Sequence, residues 1–331
     1  MQKLHAKILI QCILSLLTII TNIHPAIAQH SEEMYFKDNE PVHNASDSLK
    51  KMAMNRKILV GSISAGSLGI SFVALNNAWY KNYDRASLRS FNDAKEWLQL
   101  DKMGHLWTSY NTANLSFKAW QWAGTGKATS ILLGSLTSMS YLSTIEYLDG
   151  RSAKWGWSWS DMTANVFGTG VFALQETLSD KQIVRIKLSA HRDRYLPELT
   201  SRVDELFGNT LPSRLLKDYN AQTYWLSINL TSILPHAKLP GWLSLAIGTG
   251  GQGMLGGVEN REIDADGHIV FDRRDIPRYR QWYLSLDLDL SRIKTSSKTL
   301  RTVFDLVNVL KIPLPSLEYS QGRVKGYFLY F

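Results

Sequence analysis

Two hydrophobic periods divide this chain. Up to Leu178 the apolar residues recur at helical intervals, and beyond it they alternate with polar ones. The helical period predicts segments near 101–123, 127–148 and 160–178, with Gly124 and Gly126 in the first turn and Gly150 where a helix C-cap is wanted. An earlier apolar run, Ile58 to Tyr80, is long enough to span a bilayer, but Ser62, Ser64, Ser67, Ser71, Asn76 and Asn77 make it a poor lipid-facing helix. It reads instead as a buried helix with small residues at close crossings.

The alternating half predicts strands. In RQWYLSLDLDLSR (280–292), Trp282, Leu284, Leu286, Leu288 and Leu290 point one way, opposite Tyr283, Ser285, Asp287, Asp289 and Ser291. The leucines are expected to face an apolar environment and the aspartates a polar one. TYWLSINLTSI (223–233) repeats the pattern, and weaker strands fall at 183–190, 242–249, 315–320 and 323–331, the last two joined by a Gln321-Gly322 turn. A short amphipathic helix at 298–310 interrupts them. The fold class is therefore α+β: a bundle of about four helices, then an antiparallel β-rich half. The aromatic C-terminus, GYFLYF, resembles that of an outer-membrane β-protein, but six strands fall short of the eight or so of the smallest closed barrels.

Lys3 and Lys7 precede the apolar run ILIQCILSLLTII, and Ala26-Ile27-Ala28 before Gln29 has the form of a signal-peptidase site. Four segments are expected: a signal peptide at 1–28, a polar linker at 29–55, a helical domain at 56–180 and a β-rich domain at 181–331. Cys12, the single cysteine, would leave with the signal, removing disulfides, thiolate nucleophiles and Cys-bound metals from the options. Between 181 and 331 the chain carries 21 Lys+Arg against 15 Asp+Glu. Export argues against nucleic acid as the partner of that basic half; envelope lipid, polysaccharide or a membrane protein fits better. The tryptophans crowd between 79 and 159, where they read as core or rim packing.

Candidate chemistry lies on the predicted helices. DKMGHLWTSY places Asp101, Lys102 and His105 on one helix, with Asp101 and His105 sharing a face; Asp161, Asn165 and Gly168 share another, and Glu146 lies one turn before Asp149. Asp101 and the Ser158–Asp161 pair also suit helix capping. Glu146 does not, because an anion in the last helical turn is disfavoured by about 0.3–1 kcal/mol. A partner such as Lys102, Arg151 or His105, or a ligand, must hold it. As an enzyme site, His105 would be general base or acid, Asp101 its orienting group, and Glu146 with Asp161 acid/base or ion ligands. A histidine with carboxylates could hold a divalent ion, although no second histidine lies in the helical half, so metal and cofactor stay open. Ser109 is a nucleophile candidate by spacing only. Together these residues predict one polar cleft between three helices.

The order D-K-x-x-H, a helix-terminal Glu, then S-x-x-D-x-x-x-N-x-x-G resembles the VanZ-like proteins and the YfiM-like uncharacterised envelope proteins, over roughly residues 90–178. Asp101, Lys102, His105, Glu146, Asp161, Asn165 and Gly168 carry the likeness. KEWLQLDK and LLKDYNAQTYWLS are similar to longer members with a β-rich C-terminal extension. The resemblance implies a periplasmic protein without an agreed reaction, and the export signal, alternating strands and aromatic end add the expectation of association with the outer membrane. Two functions follow: binding or organising an outer-membrane or cell-wall component, or catalysis on a lipid-linked or cell-wall substrate.

Overall fold

A computed structural model describes residues 42–75 and 84–330 except 154, 180 and 265. The expected signal peptide, its cleavage site and Cys12 lie outside the described residues. Helices α1 (Val42–Leu75), α2 (Leu100–Trp122), α3 (Lys127–Gly150) and α4 (Trp159–Leu178) form the first half, where β1 (Ser90–Phe91) and β2 (Trp157–Ser158) make a short parallel pair. The second half holds β3 (Val184–Ala190), α5 (Thr200–Phe207), α6 (Leu211–Lys217), β4 (Gln222–Asn229), β5 (Leu243–Gln252), β6 (Arg261–Ile263), β7 (Ile269–Asp272), β8 (Tyr279–Leu288), α7 (Lys298–Val307), β9 (Leu314–Ser320) and β10 (Arg323–Tyr330). Fold class matches the sequence expectation: a helical N-terminal region precedes an antiparallel six-stranded sheet.

Two helical expectations need correction. Helix α1 starts at Val42, inside the stretch read as linker, because ASDSLKKMAMNRKIL is rich in good helix formers despite its polarity. Nor is α1 buried: Val60 is enclosed, but Met54, Ile58, Ile70, Phe72 and Val73 are exposed. It rests on its neighbours along one side, with Gly61 beside Trp120 and the Arg56 guanidinium 5.1 Å from the Trp122 ring centroid. Close helix crossings occur instead among α2, α3 and α4. A Cβ on Gly134 would meet the Ala113 carbonyl and Phe117, and one on Gly168 would meet Ser109 and the Leu106 carbonyl. Gly150 ends α3 with ordinary φ; its lack of a side chain makes room for Leu88 and Trp157.

The strands run in the order β10-β9-β8-β5-β4-β3, every neighbouring pair antiparallel. Gln321 and Gly322 have φ of 48° and 73°, a left-handed pair that closes the final hairpin as the sequence predicts. The hairpin β6–β7 and helices α5 and α6 were not foreseen, being too short to show a period.

The sheet is inverted relative to its pattern. Tyr283, Ser285 and Asp287 are buried, whereas Leu284 is 46% and Leu286 48% exposed. Register extends the inversion across strands: Leu226, Ile247, Leu284 and Leu317 are successive partners and all exposed. On the opposite face Lys187, Trp225, Tyr283 and Glu318 are buried. This polar face encloses itself, because the sheet curls: Tyr330 of β10 bonds the Thr223 hydroxyl of β4 at 2.8 Å and packs on Tyr283 at 4.5 Å between ring centroids. A parallel bridge from Leu188 to Leu310 ties β3 to the residues leading into β9.

Helix α2 covers the apolar face at its β3 and β4 end, where Tyr224 is buried against Leu100. Tyr110 donates to the Val184 carbonyl at 3.1 Å and Asn111 to that of Ile186 at 3.0 Å, around a cluster of Tyr110, Ala113, Phe117, Phe172 and Ile186. Sheet and helices thereby hold α2 in one position.

Candidate functional site

A left-handed turn delivers the first site residues. Trp97, Leu98 and Gln99 have φ of 48°, 50° and 63°, a conformation non-glycine residues rarely adopt. The β-rich half fixes it: Trp97 N–H donates to the Gly257 carbonyl at 2.8 Å, and Arg280 donates to the Leu98 carbonyl at 2.6 Å. Helix α2 then starts with Asp101 and Lys102 on its inner side. Asp101 does not cap it; Gln99 occupies that place, and Asp101 instead accepts from the Lys102 ammonium at 2.8 Å.

Lys102 is buried among three carboxylates, 2.7 Å from Asp93, 2.8 Å from Asp101 and 3.0 Å from Asp161. Asp93 was missed from the sequence because it lies in a loop, where no period marks a face. The parallel pairing of Phe91 with Ser158 brings it in, and Asp93 accepts from Ser158 and Ser160, each at 2.6 Å. Burial pushes Asp93 upward, but the bonds from Lys102, Ser158 and Ser160 outweigh it and hold the carboxyl down at about 2. For Asp101 burial prevails over Lys102 and raises it to about 6. The Lys102 ammonium is weakened by burial, yet Asp101 and Asp161 raise it overall.

Ser158 caps α4, accepting from Asp161 N–H at 3.0 Å. The reciprocal half of the expected capping box is taken over by Glu146, whose Oε2 accepts the Ser158 N–H at 3.1 Å. That exchange explains how Glu146 is held at the end of α3, and it releases the Asp161 carboxylate toward Lys102 and His105. Burial, with Asp161 adding repulsion, pushes Glu146 up to about 9. Asp161 is also raised, by burial first.

His105 joins the three helices. Its Nδ1 lies 3.1 Å from Asn165 Oδ1 and 3.7 Å from Glu146 Oε1, and its Nε2 lies 3.8 Å from Asp161 Oδ2. The polar cleft expected from helical spacing is thus present, joining Asp101, Lys102, His105, Glu146, Asp161 and Asn165. His105 and Asp101 are the partly exposed members, His105 the more so. Asp149 is half-buried one turn beyond Glu146 and adds a neighbouring negative charge. Gly168 admits the close approach of α2. Ser109 is no nucleophile in this arrangement: it is fully buried and donates to the Leu106 carbonyl of its own helix at 3.1 Å. One donor atom each from His105, Glu146 and Asp161 lie within 4.8 Å of one another, as do oxygens of Asp93, Asp101 and Asp161. Lys102 already fills the second group.

Residues 90–177, which hold every one of these side chains, match the model of a family described as predicted periplasmic lipoproteins (DUF2279). This segment is similar to envelope proteins of unknown activity. The match supports a periplasmic location. No curated protein and no solved structure matches the chain.

Proposed function

We propose that this protein is exported, rests the uncovered apolar face of its sheet on the outer membrane, and uses the polar cleft between α2, α3 and α4 to bind an envelope component there. The inverted sheet carries this reading. A buried polar face with ion pairs and an outer face of leucine, isoleucine, tryptophan and tyrosine is the arrangement of a sheet whose solvent on one side is lipid. Phe328, 85% exposed on β10, and Trp282 and Tyr319 extend the apolar surface. Apolar residues of α3 and α4 are exposed as well, among them Leu132, Leu136, Phe167 and Leu174.

One-sided attachment fits better than a spanning barrel. Helix α2 covers the β3 end, and β10 has no sheet partner on its outer edge among the described residues. An unpaired edge is not tolerated within hydrocarbon. No helix of the described residues is long and apolar enough to cross a membrane. The D-K-x-x-H, Glu146 and S-x-x-D-x-x-x-N-x-x-G order supports assigning the helical part to the VanZ-like or YfiM-like proteins, and a lipid headgroup is the component that membrane attachment would bring nearest the cleft.

Fractionation tests this reading. The exported protein should sediment with outer membranes through a high-salt wash, and a Leu284→Ser, Leu286→Ser, Leu317→Ser variant should move to the soluble fraction while unfolding at a similar temperature. Wild-type protein recovered wholly in the soluble periplasm would overturn it.

A further inference from the structure

The geometry points to a divalent metal site formed by His105, Glu146 and Asp161, taking a first-row cation such as zinc. It is independent of how the sheet meets the membrane.

The tautomer comes first. Asn165 Oδ1 can only accept, so Nδ1 donates to it and Nε2 is the ring nitrogen turned to a further partner. Nε2 faces Asp161 Oδ2 at 3.8 Å. A proton or a metal ion between them makes the pair favourable, and the 3.8 Å gap is wider than a hydrogen bond, as a shared metal ion would leave it. Asn165 fixes the ring as outer partners of metal-bound histidines do.

Glu146 supplies a second, separate observation. It is 1% exposed, one oxygen is used by Ser158, and Oε1 has no hydrogen-bond partner although it lies inside the cleft. A buried carboxyl oxygen without a partner is costly, and it is the kind of atom a metal satisfies once the carboxyl gives up its proton to bind. The third donor is also free for this purpose, since Lys102 holds Asp161 by Oδ1 and leaves Oδ2 turned to His105.

Charge agrees with geometry. Asp93, Asp101 and Asp161 surround the single ammonium of Lys102, and Glu146 lies close to Asp161. A dication beside Glu146 and Asp161 offsets the surplus and replaces the Glu146 proton. Imidazole with two carboxylates is a mixed nitrogen–oxygen donor set of the kind that suits zinc, with ligand distances of about 2.0–2.2 Å, and manganese would accept the carboxylates. The partly exposed His105 edge gives the ion an entry path and leaves coordination positions for water or for an anionic ligand group.

The exposed trio Asp264, Asp266 and His268 could also collect metal. The test therefore uses the full chain carrying His268→Ala, stripped with chelator and titrated with zinc chloride or manganese chloride. Expected are one tightly held zinc per chain, a raised unfolding temperature with zinc, and weaker binding by at least about 100-fold in Glu146→Gln and about 10–100-fold in Asn165→Leu. Because those variants can disturb folding, the nitrogen-15 resonance of His105 Nε2 is followed in the folded His268→Ala protein. A shift on adding one equivalent of zinc supports the site. An unmoved resonance, no retained zinc, or undiminished binding in a folded Glu146→Gln variant overturns it.

Discussion

Lys187 and Asp287 meet at 2.8 Å with neither side chain exposed, between two strands that are not neighbours in the sheet. Lys187 also donates to the Leu288 carbonyl at 2.8 Å, and Ser227 donates to Asp287 at 2.7 Å. The pair ties β3 to β8 across the enclosed polar face. Removing one partner strands the other charge: Asp287→Ala should cost about 3–5 kcal/mol in urea unfolding. The double change Lys187→Met, Asp287→Leu should recover most of that loss. Equal instability of single and double variants would show that the pair does not act as a unit.

The inverted sheet reverses the expectation for neighbouring residues of β8. Leu286 points outward and Asp287 inward, so Leu286→Asp should lower stability by less than Asp287→Leu in thermal unfolding, and by under about 1 kcal/mol. A greater loss at Leu286 would place that side chain in a core.

Gly168 lets α4 touch α2. A methyl group there would press on the Leu106 carbonyl, which cannot rotate away as a side chain could. Gly168→Ala should destabilise by about 1–3 kcal/mol despite its better helix propensity, whereas Gly170→Ala, with open space, should be neutral or stabilising. Parallel denaturation of the two variants decides the matter.

Lys311 gives a pH dependence. Its ammonium is buried, 4.7 Å from the Trp225 ring centroid; burial lowers its pKa to about 8, against the pull of Asp287 and with the repulsion of Lys187. A lysine lowered in the folded state binds fewer protons there than in the unfolded chain, so folding stability rises from about pH 8 toward the ordinary lysine pKa of about 10.4. Below pH 8 the buried charge costs stability in full. Lys311→Met should therefore be more stable than wild type at pH 7, with the advantage shrinking by pH 10. An advantage independent of pH would remove the titration argument.

Much of the architecture is local and was open to sequence reasoning. Helices α2, α3 and α4 and all six sheet strands follow from hydrophobic period, and the last hairpin from Gln321-Gly322, because spacing and turn chemistry act within a few residues. The sharing of one face by Asp101 and His105 is local too, and Glu146 stood out because the helix end gave it no support. What the period could not say was which face of the sheet turns inward. Alternation has two phases of equal quality, and only the curl that brings Tyr330 to Thr223, with Lys187 opposite Asp287, made the aspartate side the inside. Asp93 entered the cleft through the pairing of β1 with β2, and Ser109 left the list of nucleophiles through its bond to Leu106. Both outcomes depend on where separate segments meet. That is a property of packing, since hydrogen-bond and charge partners far apart in the chain become neighbours only once the helices have crossed and the sheet has curled over its polar face.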